Sequence, residues 1–349
     1  MLAEKNFKRL RKTKASAPGK VILFGEHAVV YDKLGIAASV DLNCFIEVST
    51  NNENKVTYEI KKIGMKKSMT KEELFELYET VERLKGEERF DEIKELQKKE
   101  KLNAALFLIS SLMKKYGFVP ADVVGDSGVP KNLGSSSSAF SATAMAVSKF
   151  LGKDLSKEEI CNLAYQGDVV AHGGTPSGID NSIVTYGGYI QYRKSKGIKP
   201  LDIKFKLPII FVDSGQPSRT GETVPYIRDQ RNENKEFVDQ VLDNLDKISI
   251  QALDALKEKR LELIGKLMLE YYSELKKLNI STEKLDGIVE IAIKNQALGA
   301  KPTGGWGGGC CLVLAKDQEH ANELVKVYKE NGFNSFQTKI GVEGVREIK

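Results

Sequence analysis

The spacing of hydrophobic positions changes several times along the chain, and each change predicts an element. The first part reads as strand. Val21-Ile22-Leu23-Phe24 is a short apolar run, punctuated by Pro18 and Gly19 before it and Gly25 after it. Residues 36–40 and 45–49 are strand-like, and 56–60 alternates as a third. From Lys71 the period becomes helical, with Leu74, Leu77, Tyr78, Val81 and Leu84 recurring before Gly86 closes the run. A second, highly charged helix carries Phe90, Ile93 and Leu96 toward the more apolar stretch 102–116. Its charges read as solvated faces with i,i+4 pairs. A helical hairpin covering a nucleotide or substrate mouth is the other reading.

A strand-like Val123-Val124 leads into the polar segment 128–139, GVPKNLGSSSSA, and then into a small, apolar run suited to a buried helix. Ser156 to Glu159 has capping-box spacing and opens a helix that runs to about Ala171. Residues 172–181 are too rich in glycine and proline to be regular, and strands are expected at 182–185 and 188–192. The polar stretch 194–206 reads as a connection, which places two domains at 1–200 and 201–349. Beyond it come a strand at 208–213, a loop at 214–218, long helices from about 221 to 299, and then strand, helix, strand to residue 340. This order predicts an α+β fold. No repeat, low-complexity tract or heptad array interrupts it.

Length agrees with two domains, since 349 residues exceed one ordinary core. Composition narrows the class. Hydrophobic residues at 41% and charged residues at 29% describe a soluble globular protein whose longest apolar runs are too short to span a bilayer. Met1-Leu2-Ala3 passes directly into lysines and arginines, with no signal-peptide core. Cys44, Cys161, Cys310 and Cys311 lack disulfide-framework or zinc spacing, so a cytoplasmic setting is expected. His27, His172 and His320 form no ligand pair, which argues against a histidine metal site. The net charge is only +5, but Lys5, Lys8, Arg9, Arg11, Lys12 and Lys14 crowd the start. With only Phe7 nearby, that arm reads as a solvated end rather than a nucleic-acid or membrane contact.

Four stretches carry more chemistry than folding requires. Lys20 follows a Pro-Gly loop and precedes Glu26-His27, and a lysine facing a phosphate site would neutralise transferring charge. The serine loop delivers hydroxyls and backbone N–H groups at a helix start, which favours an anion such as a nucleotide phosphate, while serine oxygens can ligate Mg²⁺ or cap the helix. Asp168 can hold Mg²⁺, and Asp180, twelve residues on, can accept a proton from an alcohol. Either aspartate could instead be a cap or turn residue. Last, the run 303–310, TGGWGGGC, follows Lys301 and brings backbone close to a ligand or another loop. No Gx4GK[ST] loop is present, and no GxGxxG joins a strand to a helix, so any phosphate loop is of another type.

Together these residues resemble the GHMP-family kinases. The segment 17–31, APGKVILFGEHAVVY, is similar to the family's first motif, and Leu133-Gly134-Ser135-Ser136 to its nucleotide-phosphate loop. The segment 176–181, PSGIDN, resembles the stretch holding its catalytic aspartate, and 301–310 its third, glycine-rich motif. The resemblance implies a ribosomal-protein-like N-terminal domain, a ferredoxin-like C-terminal domain and an active site between them. It implies ATP-dependent phosphorylation of the 5-hydroxyl of mevalonate, with Mg²⁺, in a cytoplasmic homodimer. Asp180 would be the catalytic base, and Lys20 would contact the reacting hydroxyl and the γ-phosphate. Asn132, Leu133, Gly134, Ser135, Ser136 and Ser137 would bind nucleotide, Ser136 and Asp168 magnesium, and Glu26, His27, Gly305 and Trp306 the substrate. Three departures stand out: a shorter phosphate loop with Asn132 where glycine is customary, Asp168 in place of glutamate one residue further from Asp180, and Trp306 in place of a glycine. Asparagine tolerates the left-handed backbone that a glycine there would adopt. The Trp306 indole is expected to face the interdomain cleft. Phosphomevalonate or a sugar is the alternative acceptor, and a silent ligand sensor the alternative role.

Overall fold

A computed structural model describes residues 11–218 and 220–349. In chain order the elements are β1 (Lys12–Phe24), β2 (Gly35–Thr50), β3 (Lys55–Ile60), β4 (Met65–Thr70), α1 (Lys71–Gly86), α2 (Phe90–Lys99), α3 (Asn103–Tyr116) and β5 (Ala121–Ser127). Then follow α4 (Ser135–Phe150), α5 (Lys157–His172), α6 (Ile179–Tyr186), β6 (Tyr189–Arg193), β7 (Gly197–Leu201) and β8 (Ile209–Asp213). The chain closes with α7 (Thr220–Glu233), α8 (Lys235–Lys257), α9 (Leu261–Lys276), α10 (Glu283–Lys294), β9 (Gly299–Pro302), β10 (Cys310–Leu314), α11 (Gln318–Glu330), β11 (Asn334–Gln337) and β12 (Arg346–Glu347). The class is α+β, as the pattern predicts.

Contacts divide the chain into two interleaved units rather than at one point. The first holds the residues through Gly19, Leu42–Tyr186 and Glu343–Lys349, and the second Lys20–Asp41 and Gly187–Val342. The physical reason lies in β1 and β2, strands of 13 and 16 residues whose two ends belong to different units.

In the first unit the strands lie in the order β12-β1-β2-β5-β3-β4, with β3 and β5 parallel. Helix α1 begins on a capping box between Thr70 and Glu73 and buries Leu74, Leu77, Val81 and Leu84. Its exposed face carries pairs such as Arg83–Glu87, as expected of a solvated face. Helix α5 opens on the Ser156–Glu159 capping box. Helix α4 is small-residue and buried, with Ala142, Ala144 and Ala146 at 0% exposure. It packs closely on α5, because a Cβ at Gly167 would stand 2.8 Å from the Phe140 ring. That close approach sets the neighbouring Asp168 against the start of α4.

In the second unit β6 pairs with β7 and with the first residues of β2, and a separate antiparallel sheet runs β11-β8-β10-β9. Ile210, Val212, Leu285, Ile288, Val313 and Tyr328 pack into one core, each burying apolar surface worth about 1.5–3 kcal/mol for a large aliphatic side chain.

Several expectations change. The strand expected at 182–185 is helix α6, where the Ser182 hydroxyl donates to the Gly178 carbonyl at 2.8 Å and Ile183 and Val184 are fully buried. Tertiary burial there outweighs the strand preference of Ile, Val and Thr. The irregular segment 172–181 therefore stops short of Asp180, which sits in a helical turn. The two early strands are one, because Asp41 and Asn43 between them hold backbone hydrogen bonds to Lys339 and Gly128. Strand β4, Met-Lys-Lys-Ser-Met-Thr, carries too little apolar signal to be read from sequence, and β7 lies inside the expected linker. In the basic arm, Arg11 donates to the Phe150 carbonyl, Lys12 pairs with Glu47, and Lys14 lies over the Phe45 ring. Lys5, Phe7, Lys8 and Arg9 lie outside the described residues.

Candidate functional site

The first unit places the start of a helix beside a buried acid. After β5 the chain makes a 3-10 turn at Lys131–Leu133 and then starts α4 at Ser135, with Gly134 as N-cap. Gly134 takes the left-handed backbone (φ +84°); Asn132 does not, so its tolerance of that conformation is not used. Gly134 offers no side-chain acceptor, and the first helical hydrogen bond is from Ser138 N–H to the Gly134 carbonyl. The N–H groups of Ser135, Ser136 and Ser137 thus point out of the helix start, at its positive end. Leu133 is buried beneath the loop, and Asn132 is half-buried.

The four serines divide by helix phase. Ser136 is exposed and Ser135 half-buried, while Ser137 and Ser138 are buried. Ser138 Oγ donates to the Pro18 carbonyl at 2.6 Å, tying the loop to β1. Ser137 Oγ donates to Asp168 Oδ2 at 2.6 Å, so Ser137, not Ser136, is the serine that touches the acid. Asn181 Nδ2 donates to the same Oδ2 at 2.5 Å. Asp168 Oδ1 has no hydrogen-bond partner among the described residues, and neither has Asn181 Oδ1. The exposed His172 ring lies 3.8 Å from Asp168 Oδ1, too far for a hydrogen bond. Burial pushes the Asp168 carboxyl up to about 6, and the charge of Asp180 adds to the rise, against the pull of His172, Ser137 and Asn181. Asp180 itself is half-buried in the first turn of α6.

Among the described residues no three His, Cys, Asp or Glu side chains gather as a metal cluster. Buried acceptors left without donors are costly, and here both are hard oxygens, the donor type Mg²⁺ takes. The residues present fit that ion.

The second unit builds a different arrangement around Glu26. The carboxylate is 1% exposed and contacts Lys301 Nζ, itself 0% exposed, on β9. Lys301 also donates to the Pro302 carbonyl at 2.9 Å and lies 5.3 Å above the Tyr271 ring. Gly25 N–H donates to the Tyr271 hydroxyl, which donates to the Glu26 carbonyl, both at 3.0 Å. One tyrosine from α9 therefore holds both backbone groups of the turn. Thr303 Oγ1 donates to the Ile22 carbonyl at 2.9 Å and ties the glycine-rich run to β1. Burial pushes the Glu26 carboxyl up and the Lys301 ammonium down, while each partner's charge pulls the other back.

His27 follows with a left-handed backbone, φ +61°, and its buried Nε2 has no partner among the described residues. Burial, and then the charge of Lys301, lowers its pKa to about 4, so the ring is neutral at pH 7. Lys20 is 6% exposed, and its charge favours ionised Glu26.

Trp306 departs from expectation. The indole does not face an open cleft: it is 0% exposed, tilted 31° against the Tyr272 ring at 6.1 Å, with Nε1 unpartnered among the described residues. Its backbone is left-handed (φ +59°), the conformation that a glycine would supply. The loop keeps its path through Gly307 N–H to the Ile280 carbonyl and Gly309 N–H to the Gln216 carbonyl. Gly305 is buried beside it.

Sequence reasoning gave no role to Asn181, Tyr271 or Thr303, and took Lys301 only as the start of a motif. A lysine between Ala300 and Pro302 in an apolar strand was the one available signal of a buried charge.

Comparison with known proteins shows the family. Residues 103–188 match the family described as GHMP kinases N terminal domain, and residues 252–334 the one described as GHMP kinases C terminal. Mevalonate kinase of Pyrococcus furiosus is 34% identical over 343 residues, covering 96% of this chain and 98% of that protein. The crystal structure of Methanococcus jannaschii mevalonate kinase superposes with a TM-score of 0.78 at 27% identity, over 96% and 99% of the two chains. Lactococcus lactis galactokinase complexed with galactose superposes at 0.75 with 17% identity, covering 97% and 95%, a likeness of fold alone.

Proposed function

This chain belongs to the GHMP kinases, and from that membership we propose that it transfers the γ-phosphoryl group of ATP to the 5-hydroxyl of mevalonate, giving 5-phosphomevalonate. The observation that carries the substrate is the breadth of the likeness to mevalonate kinases, 34% identity over nearly the whole of both chains, where the galactokinase shares only the fold.

In this reading the N–H groups opening α4 bind the nucleotide phosphates, and Ser136, exposed beside them, offers its hydroxyl to magnesium together with Asp168. Magnesium, when bound, neutralises charge on the phosphates and orients them. Asp180 accepts the proton of the substrate hydroxyl, and Lys20 contacts that hydroxyl and the γ-phosphate. Glu26 and His27 hold mevalonate: neutral His27 has an unpartnered ring nitrogen free to accept or donate. Gly305 serves through its backbone. Trp306, fully buried, shapes that loop from behind. Most of the rate enhancement is positioning and charge neutralisation, as in other phosphoryl transfers.

A panel of alcohols with ATP, read by ADP release, tests the substrate. Mevalonate is expected to exceed phosphomevalonate, galactose and homoserine in kcat/KM by at least ~100-fold, since a site built to bond one set of polar groups rejects others strongly. Preference for any other alcohol overturns the assignment. No helix among the described residues is long and apolar enough to cross a membrane.

A further inference from the structure

Asp168 is satisfied on one side only. Its Oδ2 receives two donors, Ser137 Oγ at 2.6 Å and Asn181 Nδ2 at 2.5 Å, while its Oδ1 receives none among the described residues. The Asn181 carboxamide has a fixed sense for the same reason. An ionised carboxylate only accepts, so the NH₂ end must face Asp168 and the carbonyl Oδ1 must face elsewhere. That Oδ1 is also buried and without a donor. Both side chains are withdrawn from bulk water, at 2% and 1% exposure.

Two joined side chains thus present two open oxygen acceptors, with no donor to either among the described residues. Each unmet acceptor is costly to bury. A hard divalent cation satisfies such oxygens directly, and it prefers neutral carbonyl as well as carboxylate oxygen. We propose that Asn181 is a further ligand of the cation site, its Oδ1 binding the metal alongside Asp168 Oδ1. Asn181 opens the first turn of α6 next to Asp180, so metal bound there fixes the turn that carries the base relative to α5. Asn181 is in this sense also a positioning residue for Asp180. The shorter reach of aspartate at 168 is offset by a second oxygen from α6. The inference rests on the magnesium site of the proposed function.

Mn²⁺ with ADP, followed by electron paramagnetic resonance on the full chain, tests it without turnover. Asn181→Leu is expected to weaken Mn²⁺ binding by ~10-fold or more, in the range for disturbed ligand shells, with metal-free ADP binding unchanged. Asp168→Ala should weaken it as well. If Asp168→Ala weakens binding and Asn181→Leu leaves it alone, Asn181 is no ligand and the magnesium reading stands. If neither variant changes it, the magnesium site itself is wrong. Because Asn181→Leu removes a buried hydrogen bond and could fail to fold, the parent protein carrying asparagine labelled with ¹³C at the carboxamide gives a second readout. Electron–nuclear double resonance should show ¹³C coupling to bound Mn²⁺ at ligand distance. Its absence with Mn²⁺ bound overturns the proposal.

Discussion

Glu26 in the second unit and Asp168 in the first are both withdrawn from water, at 1% and 2% exposure, yet only Glu26 has a cation built against it. Lys301 neutralises Glu26 from a buried strand, and Tyr271 locks the same turn by its backbone. Asp168 is held by two neutral donors, with the exposed His172 ring 3.8 Å from its other oxygen. Each keeps one oxygen without a hydrogen-bond partner among the described residues, Glu26 Oε2 and Asp168 Oδ1. The internal cation is the difference: its lysine holds Glu26 in place, and Asp168, without one, is open to an external cation.

Asp180 stands outside this contrast, half-buried and adjacent to Asn181, and it gives the largest expected effect. Asp180→Asn should lower turnover by about two to four decades, the usual range for a lost proton-transfer group, with ATP affinity nearly unchanged. Turnover within threefold of the parent would remove Asp180 from the chemistry and leave only the two buried acids to explain the site.

The contrast breaks most directly at Lys301. Lys301→Met turns Glu26 into an uncompensated buried acid and should destabilise the protein by about 3–5 kcal/mol in urea unfolding. Glu26→Gln with Lys301→Met should recover most of that loss. A single variant within about 1 kcal/mol of the parent would mean that the pair holds nothing in place.

Removing the other acid should do the reverse, with little loss of fold and a change in metal demand. Asp168→Ala is expected to raise the Mg²⁺ concentration for half-maximal rate by ~10-fold or more. An unchanged magnesium dependence in a folded variant makes Asp168 structural and erases the difference between the two acids.

A further effect is the pH dependence of His27, spread over more than two pH units. Folded His27 takes its proton near pH 4 and the unfolded chain near the ordinary 6.5. Between these values the unfolded state binds more protons, so stability falls as pH drops from 6.5 toward 4, by at most about 1.4 kcal/mol per pH unit. His27→Asn, which tolerates the left-handed backbone, should lose that part of the slope in urea unfolding at stepped pH. An identical slope would place the titration elsewhere.

Much of this was legible in the residues. The helical period of α1, the Ser156–Glu159 capping box, the serine loop and the Asp168–Asp180 spacing are local signals, and local signals survive folding. What failed was settled at a distance. Lys301 and Glu26 are 275 positions apart, and nothing near either predicts the other. Helix α6 carries β-branched residues whose preference is reversed by burial. Four serines in a row carry no period, so helix phase alone decides that Ser137 meets Asp168. Trp306 among glycines suggested an indole facing the interdomain cleft, but the glycines free the backbone while the fully buried indole packs against Tyr272.

The central claim, phosphoryl transfer to the 5-hydroxyl of mevalonate, is tested most directly by ³¹P NMR of the products from the purified protein with ATP, Mg²⁺ and mevalonate. The 5-hydroxyl is on a CH₂ and the 3-hydroxyl on a carbon without hydrogen. Transfer to the former gives a phosphomonoester resonance split into a triplet, growing as the γ-phosphate of ATP declines. An unsplit phosphomonoester, free phosphate alone, or reaction only when phosphomevalonate replaces mevalonate would contradict it.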